Sequence, residues 1–323
     1  MDTLLTVDNL QVAFNTDDGE IVGVENVGFN IKKGEVLCIV GESGCGKSVT
    51  ALSLMGLLGK NGFIKQGDAF FDGHDLRSLS SEEMRKLRGN RFSMIFQEPM
   101  TSLNPVLTVG RQLLEPVELH LGLKGEAAKK LCIEWLEKVG IPRPEKVFSD
   151  YPGTLSGGMR QRVMIAMAMI CSPSLLIADE PTTALDVTIQ SQILDLMEEL
   201  RLESESSILL ITHDLGVVAE TADRVLVMYA GQVVEEADVF ELFENPQHPY
   251  TKGLLASIPN VSDDFTERLK SIPGNVPSLQ NMPKGCRFCE RCSFSMDVCK
   301  TEVPPLFDVF PNHKMRCWLG DNK

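Results

Sequence analysis

Residues 41–48 read Gly41-Glu42-Ser43-Gly44-Cys45-Gly46-Lys47-Ser48, which has the form G-x-x-x-x-G-K-S. The apolar, β-rich run 35–40 comes before them, and a segment with helical character, 49–58, follows. A strand, a glycine-rich loop and a helix in this order form the context of a phosphate-binding loop. Glycines allow successive backbone N–H groups to converge on an anion, and the helix start adds partial positive charge. The pattern therefore predicts a site for nucleotide phosphates.

Two side chains of this loop have predicted roles. Lys47 would reach the β- and γ-phosphates, and the Ser48 hydroxyl would ligate Mg²⁺. The alternative is a glycine-rich turn with an exposed lysine, which the spacing and the strand–loop–helix context disfavour. Cys45 occupies a small, variable position of the loop, and we interpret it as structural, with redox sensitivity as a minor alternative.

Further motifs follow along the chain in a fixed order. They are Phe96-Gln97-Glu98-Pro99, Leu155-Ser156-Gly157-Gly158-Met159-Arg160-Gln161, Leu175-Leu176-Ile177-Ala178-Asp179-Glu180-Pro181, Thr183-Ala184-Leu185-Asp186 and Ile211-Thr212-His213-Asp214. Together with the glycine-rich loop they resemble the Walker A, Q-loop, signature, Walker B, D-loop and H-loop of the ATP-binding-cassette ATPases. The resemblance covers roughly the first 250 residues. It implies an α/β fold: a P-loop NTPase cassette with a RecA-like core sheet, an antiparallel β subdomain and a helical signature subdomain.

The resemblance also implies how such a cassette works. Members of this family act as head-to-tail pairs, so that ATP lies between the phosphate loop of one subunit and the signature of the other. Ser156, Gly157 and Gly158 open a helix, and the glycines would let backbone N–H groups approach the γ-phosphate. Gln161 belongs to the same signature, and Asp186 is the aspartate of the D-loop.

Catalytic roles follow from the same resemblance. Asp179 would hold Mg²⁺ directly or through water, and Glu180 would orient and deprotonate the attacking water. His213 would contact the γ-phosphate, and Gln97 would sense Mg²⁺ and nucleotide while its loop contacts a membrane subunit. Phe14 would stack on adenine, with a buried strand phenylalanine as the alternative. The predicted nucleotide-binding set is Phe14, Gly41, Glu42, Ser43, Gly44, Cys45, Gly46, Lys47, Ser48, Val49, Gln97 and Asp179.

Bulk properties limit the partners and the location. The 323 residues include 31 basic and 45 acidic side chains, a net charge of −14, which argues against nucleic acid as the main partner. No window approaches the ~18–20 uninterrupted apolar residues that cross a bilayer. The acidic N-terminus lacks the pattern of a signal peptide. We expect a cytosolic protein that lies peripherally on the cytoplasmic face of the membrane.

Apolar patterning predicts several elements of secondary structure. Fully apolar runs indicate strands buried on both faces of a parallel sheet, whereas alternation indicates antiparallel strands. The predictions are an antiparallel pair (4–14 and 21–31), a short strand (67–73), helical structure (108–138), two buried strands (175–178 and 208–211) and a closing hairpin (224–228 and 232–235).

The composition changes after about residue 245, where prolines become frequent and five of the nine cysteines lie between Cys286 and Cys317. We place a boundary near Pro249, with an ABC-type ATP-binding domain at 1–250 and a Cys-rich C-terminal extension at 251–323. The segment 245–255 and the tail resemble the C-terminal part of the dipeptide and oligopeptide importer group, which also includes nickel importers.

The tail cysteines suggest a metal centre, because cytosolic proteins rarely use disulfides. Cys286-x-x-Cys289-x-x-Cys292 has the thiolate spacing of iron–sulfur proteins. The family resemblance instead implies Cys286, Cys292, Cys299 and Cys317 as ligands and leaves Cys289 spare. The predicted centre is a [4Fe-4S] cluster, with tetrahedral zinc as one alternative and free cysteines in a small core as the other.

The resemblance implies a subunit that hydrolyses ATP to drive import of di- or oligopeptides. Its partners would be a related but distinct second ATP-binding subunit, two membrane permease subunits and, indirectly, an extracytoplasmic peptide-binding protein. The alternatives are a cassette for nickel or another small solute and a soluble ABC ATPase outside transport. The interval from Lys47 to Ser156 is too short for the coiled coil of DNA-repair types, and ribosome-acting types usually carry two cassettes. An assembly ATPase for iron–sulfur clusters is also single-cassette, but this proline-rich tail does not resemble it.

Overall fold

The computed structural model describes residues 2–97, 102–183, 185–258 and 271–321. Its strands are β1 (Thr3–Thr16), β2 (Gly19–Lys32), β3 (Val36–Val40), β4 (Gly62–Phe71), β5 (His74–Asp75), β6 (Phe92–Ile95), β7 (Leu175–Asp179), β8 (Ser207–Thr212), β9 (Arg224–Tyr229), β10 (Gln232–Asp238), β11 (Phe307–Phe310) and β12 (His313–Met315). Its helices are α1 (Lys47–Leu54), α2 (Ser81–Leu87), α3 (Val109–Pro116), α4 (Gly125–Lys138), α5 (Pro144–Ser149), α6 (Gly157–Met169), α7 (Val187–Ser204), α8 (Leu215–Thr221), α9 (Val239–Glu244), α10 (Pro249–Leu255) and α11 (Asp297–Thr301).

The chain forms two compact units. The first contains residues 1–4, 31–35 and 72–211, and the second contains residues 5–30, 36–71 and 212–323. Of the helices that the described residues form, none is both long and apolar enough to cross a membrane.

Parallel strands form the centre of the first unit. β6 pairs with β7, and β7 pairs with β8, both in parallel. Every residue of β7 and β8 is buried, which explains their uninterrupted apolar sequences and confirms the predicted buried strands. The carboxyl end of β7 carries Asp179, at the edge of a parallel sheet where ligands commonly bind.

The predicted helical region of the first unit is divided. α3 ends at Pro116, a π-helical turn covers Val117–Leu121, and Gly122 adopts a left-handed conformation with φ of 67° before α4 begins at Gly125. Proline lacks the N–H group that would continue the regular hydrogen bonds, and glycine enters the left-handed region without steric cost. The predicted helical structure at 108–138 therefore consists of two helices with a π-helical turn between them.

Two antiparallel arrangements dominate the second unit. β1 lies between β2 and β4, so the two strands of the predicted pair are neighbours in the sheet. β4, which is not part of that prediction, pairs antiparallel with β1, with Val7 opposite Ala69. β3 pairs in parallel with β9, and β9 forms the predicted hairpin with β10. The hairpin does not close this sheet, because β10 also pairs with β12, and β12 pairs with β11. Residues of the tail thus extend the sheet of the second unit.

A buried carboxylate holds the tail strand in place. Glu235 on β10 and His313 on β12 are both fully buried, and their Oε1 and Nε2 atoms lie 2.7 Å apart. The backbone N–H groups of Gln247 and His248 donate to the same carboxylate at 2.6 and 3.0 Å. Burial acts to raise the pKa of Glu235, but the hydrogen bonds from His313 and from these two N–H groups outweigh it and lower that pKa. The charged group is therefore stable inside the sheet because it is fully hydrogen-bonded.

Candidate nucleotide site

The glycine-rich loop connects β3 to α1 in the second unit. Gly41 has φ of 151°, and a Cβ atom there would lie 2.1 Å from the carbonyl oxygen of Met228, so a side chain is excluded. Gly46 precedes α1 with φ of 103° and makes no side-chain cap. The first N–H groups of α1 consequently point out of a helix start that no described side chain caps, an arrangement that suits an anion.

Lys47 lies across its own loop. Its side chain is buried, with 5% of the residue exposed, and Nζ donates to the carbonyl oxygens of Gly41 at 2.8 Å and Glu42 at 3.2 Å. Ser48 follows as the second residue of α1. Cys45 is fully buried, and burial raises the pKa of its thiol above the usual value, so the thiol is held in its neutral form.

Phe14 occupies the far end of β1 in the same unit. Its half-buried ring lies beside two glycines, since a Cβ atom on either Gly23 or Gly62 would come within 2.9 Å of ring atoms. The ring is therefore seated where neighbouring strands carry no side chains. His213, also in the second unit, is exposed directly after β8, and Asp214 caps α8 by accepting from the N–H of Gly216 at 2.8 Å.

Glu180 has an uncommon backbone conformation in the first unit. It follows the buried Asp179, adopts φ of 46°, and donates its N–H to the carbonyl of Ile211 at 2.8 Å. Non-glycine residues rarely have positive φ, and such strain concentrates at functional positions. Its Oε2 accepts from Gln97 Nε2 at 3.0 Å and from Thr183 Oγ1 at 2.9 Å. The structure thus brings the predicted Q-loop and Walker B residues into direct contact.

The signature residues begin α6. Ser156 is the N-cap and accepts from the N–H of Met159 at 3.3 Å, while Gly157 and Gly158 form the first turn. Ser156 and Gly157 are exposed, so backbone N–H groups at this helix start face outward. Gln161 of the same signature is buried instead, with 1% of the residue exposed. Its Nε2 has no hydrogen-bond partner among the described residues.

Asp186 is the N-cap of the next helix, α7, as Ser156 is of α6. It is exposed, and its carboxylate accepts from the N–H of Ile189 at 3.0 Å at the start of α7. Among the motif residues, Glu98, Pro99 and Ala184 lie outside the described residues.

The second unit therefore contains Phe14, the loop 41–48, Val49 and His213, while the first contains Gln97, the signature, Asp179, Glu180 and Asp186.

Among the described residues, the tail cysteines are not grouped as the predicted metal site. Cys299 and Cys317 are buried, whereas Cys286, Cys289 and Cys292 are half-buried. Within the described ranges, no three His, Cys, Asp or Glu side chains form a group that could hold a metal ion. Burial raises the pKa of the Cys286 thiol to about 12, which favours the protonated form over the thiolate that a metal needs. The geometry thus gives no support to the four-cysteine ligand set.

Two residues outside the nucleotide-binding motifs contact the phosphate loop. The hydroxyl of Tyr250 accepts from the N–H of Glu42 at 2.9 Å, and Arg291 donates to both carboxylate oxygens of Glu42 at 2.7 and 3.0 Å. Sequence patterns assigned neither residue a role at the phosphate loop, because periodicity describes local structure and these partners are far apart in the chain.

Comparisons with known proteins agree with these features. Residues 24–183 match the family described as "ABC transporter", and residues 234–299 match "Oligopeptide/dipeptide transporter, C-terminal region". The chain is similar to the oligopeptide transport ATP-binding protein AppD of Bacillus subtilis, with 53% identity over 100% of this chain and 98% of that protein. It is 52% identical to the dipeptide transport ATP-binding protein DppD of Lactococcus lactis, over 98% of this chain and 91% of that protein.

A solved structure shows the same fold. It is the dimeric, post-hydrolysis state of an ATP-binding cassette bound to ADP and Pi. The TM-score is 0.66 at 28% identity, and the match covers 73% of this chain and 99% of that cassette.

Proposed function

The chain belongs to the ATP-binding-cassette family of transporter ATPases, and we propose that it powers the import of oligopeptides or dipeptides through separate membrane permease subunits. The match of its C-terminal region to the oligopeptide and dipeptide group is the observation that carries this proposal. Relatives at 52–53% identity that cover nearly the whole chain are named for oligopeptide and dipeptide transport. A nickel importer or a soluble ATPase has no comparable support.

We propose that the nucleotide is MgATP and that Lys47 binds its β- and γ-phosphates. The start of α1 supports this role, because a helix N-terminus without a side-chain cap at Gly46 and a buried ammonium would share the phosphate charge. Ser48 and Asp179 would hold Mg²⁺, and His213 would contact the γ-phosphate. Phe14 would stack on adenine.

Glu180 is the proposed general base. Hydrogen bonds from Gln97 and Thr183 fix its carboxylate, so the group is oriented before a water molecule arrives. In this arrangement Glu180 takes a proton from the attacking water as the water bonds to the γ-phosphorus, and the bond to the leaving ADP oxygen breaks. Because Gln97 touches the same oxygen, a movement of its loop would change the position of the base.

The proposed contact with the permease involves residues that come after Gln97 in the sequence. Val106 is 74% exposed, and Leu107, Leu119, Leu121 and Leu123 are exposed apolar side chains of the same unit. Exposed apolar side chains are available for contact with another protein. We propose that a membrane permease subunit covers them, which would place the protein peripherally on the cytoplasmic face. A second, related cassette would meet the exposed Ser156 and Asp186, and an extracytoplasmic binding protein would act indirectly through two permeases.

Assembly with permease subunits is expected to raise the ATPase rate. The chain alone should hydrolyse ATP slowly, because its signature must act on ATP held by another cassette. The measurement compares phosphate release by the purified chain with release by the complex in vesicles, with and without a peptide-loaded binding protein. Loading with nickel instead of peptide is the control. Equal rates for the dilute monomer and the complex would contradict the proposal, and stimulation by nickel alone would favour the other solute class.

We further propose that the tail cysteines bind a [4Fe-4S] cluster, with zinc as the alternative metal. Burial is the larger cause of the raised pKa values of Cys286, Cys292 and Cys317, and the Cys299 thiol adds to each. Cys289 also contributes to the raised pKa values of Cys286 and Cys292. The N–H of Cys286 also donates to the carbonyl of Cys299 at 2.8 Å. Four cysteine thiolates are the usual ligands of an iron–sulfur cluster.

Metal analysis of anaerobically purified protein tests this proposal. Cys292→Ser should lose iron, acid-labile sulfide and brown colour, while Cys289→Ser, the matched control, should retain them. Stoichiometric zinc without iron would identify the other metal. Absence of both metals would mean that the tail is a core of free cysteines, and loss of metal only in Cys289→Ser would reassign the ligands.

A further inference from the structure

One residue of the tail, Arg291, forms an ion pair with one residue of the phosphate loop, Glu42. Arg291 donates through Nη1 and Nη2 to the two oxygens of Glu42 at 2.7 and 3.0 Å, and its side chain is only 5% exposed. Paired, charged hydrogen bonds of this kind are among the strongest and most directional that side chains make. The contact therefore fixes the orientation of Glu42, the second residue of the loop.

Arg291 is itself held rigidly. Its Nε donates to the carbonyl of Pro273 at 2.8 Å, and the guanidinium lies 5.7 Å from the ring centroid of Tyr229 and 6.0 Å from that of Phe288. These rings pack edge to face, with centroids 5.1 Å apart, and Tyr250 packs against both. An arginine enclosed by aromatic rings has little freedom to follow a moving carboxylate.

The main chain of Glu42 is held as well. The fully buried Tyr250 accepts from its N–H at 2.9 Å. The carbonyl groups of Glu42 and of the preceding Gly41 accept from the ammonium of Lys47. A continuous series of contacts therefore runs from Arg291 through Glu42 to Lys47.

The negative charge of Glu42 connects this series of contacts to phosphate binding. The Glu42 carboxylate belongs to the loop proposed to receive a polyphosphate anion, and like charges at short range repel. Arg291 neutralises that carboxylate, while the ammonium of Lys47 bonds to backbone carbonyl groups. Without Arg291, the carboxylate would repel the incoming phosphates and compete with them for Lys47.

We infer that Arg291, supported by Tyr250, is a positioning residue for ATP binding, so that the C-terminal extension sets the affinity of the phosphate loop. The inference rests on the proposed role of Lys47. It assigns to the tail a function in the nucleotide site in addition to any metal that the tail binds.

Calorimetric titration of the full chain with MgATP tests the inference. Arg291→Ala should weaken binding about tenfold, the loss expected when one partner of a charged hydrogen-bonded pair is removed. Lys300→Ala is the matched control, because Lys300 is an exposed cation of the same tail whose partner is Asp297. Its affinity should equal that of the natural chain.

A second substitution separates positioning from folding. In a Glu42→Gln background the carboxylate charge is absent, so the further change Arg291→Ala should leave the affinity within about twofold. A tenfold loss in both backgrounds would overturn the inference, because it would show a general structural defect. Equal affinity of Arg291→Ala and the natural chain would also overturn it.

Two further measurements keep the result interpretable. If Arg291→Ala does not fold, Tyr250→Phe removes only the acceptor of the Glu42 N–H, and it should weaken MgATP binding by about threefold. Unchanged affinity in that variant would overturn the inference. Failure of the natural chain to bind MgATP would instead reject the proposed nucleotide site, so the two proposals fail in distinguishable ways.

Discussion

Glu180→Gln is expected to reduce the ATP hydrolysis rate of the assembled complex by a factor of about 10²–10⁴ while ATP remains bound. The carboxamide has nearly the same shape as the carboxylate, so hydrogen bonds from Gln97 and Thr183 can still reach its oxygen. An amide oxygen is a very weak base, however, and cannot take the proton of the attacking water. The variant should therefore accumulate as an ATP-bound pair of cassettes.

The expected result is checked by single-turnover phosphate release and by gel filtration with MgATP. Glu199→Gln is a matched control, because Glu199 is an exposed carboxylate of α7 outside every motif. The control should keep the natural rate. Near-natural hydrolysis by Glu180→Gln would show that another group takes the proton and that the Gln97 contact has a different purpose.

Lys47→Ala is expected to weaken MgATP binding by about ten- to hundredfold, because a charged hydrogen-bond donor to the phosphates is lost. Lys60→Ala is the control, since Lys60 is an exposed lysine that follows α1 by a few residues. The test is the affinity for MgATP, measured by calorimetry, of the natural chain, Lys47→Ala and Lys60→Ala. Unchanged affinity in Lys47→Ala would reject the phosphate-loop assignment.

Lys47 also bonds to the carbonyl groups of Gly41 and Glu42, so the substitution could loosen the loop itself. Thermal unfolding without nucleotide separates the two effects. A loss of ATP affinity with little change in melting temperature indicates a lost phosphate contact. A large fall in melting temperature would show that the lysine acts mainly as a support of the loop.

Strongly patterned elements were predictable from the sequence. The apolar runs at β7 and β8 have no polar interruption, and burial on both faces of a parallel sheet is the state that tolerates this. The division between α3 and α4 was missed, although Pro116 and Gly122 mark it, because helical composition continues across both residues. The strands β11 and β12 have only four and three residues, too few for alternation to be recognised.

Motif order predicted which residues would carry chemistry, and the structure adds how some of them are oriented. The Gln97–Glu180 contact joins two predicted residues, but the left-handed backbone of Glu180 has no signal in its residue type. The Arg291–Glu42 pair joins residues 249 positions apart, and only the fold brings them together. The four-cysteine ligand set came from family resemblance and not from spacing, and among the described residues no such group is arranged to hold a metal ion.

The pairing of β10 with β12 has a consequence for biosynthesis. Glu235 and its partner His313 are 78 positions apart, so β10 leaves the ribosome well before its neighbour exists. During that interval the outer N–H and C=O groups of β10 have no partner from β12, and an unpaired strand edge readily joins another chain. Long-range pairings also form late and slowly. Nascent copies translated from one message would therefore be most vulnerable to aggregation until residues 313–315 emerge.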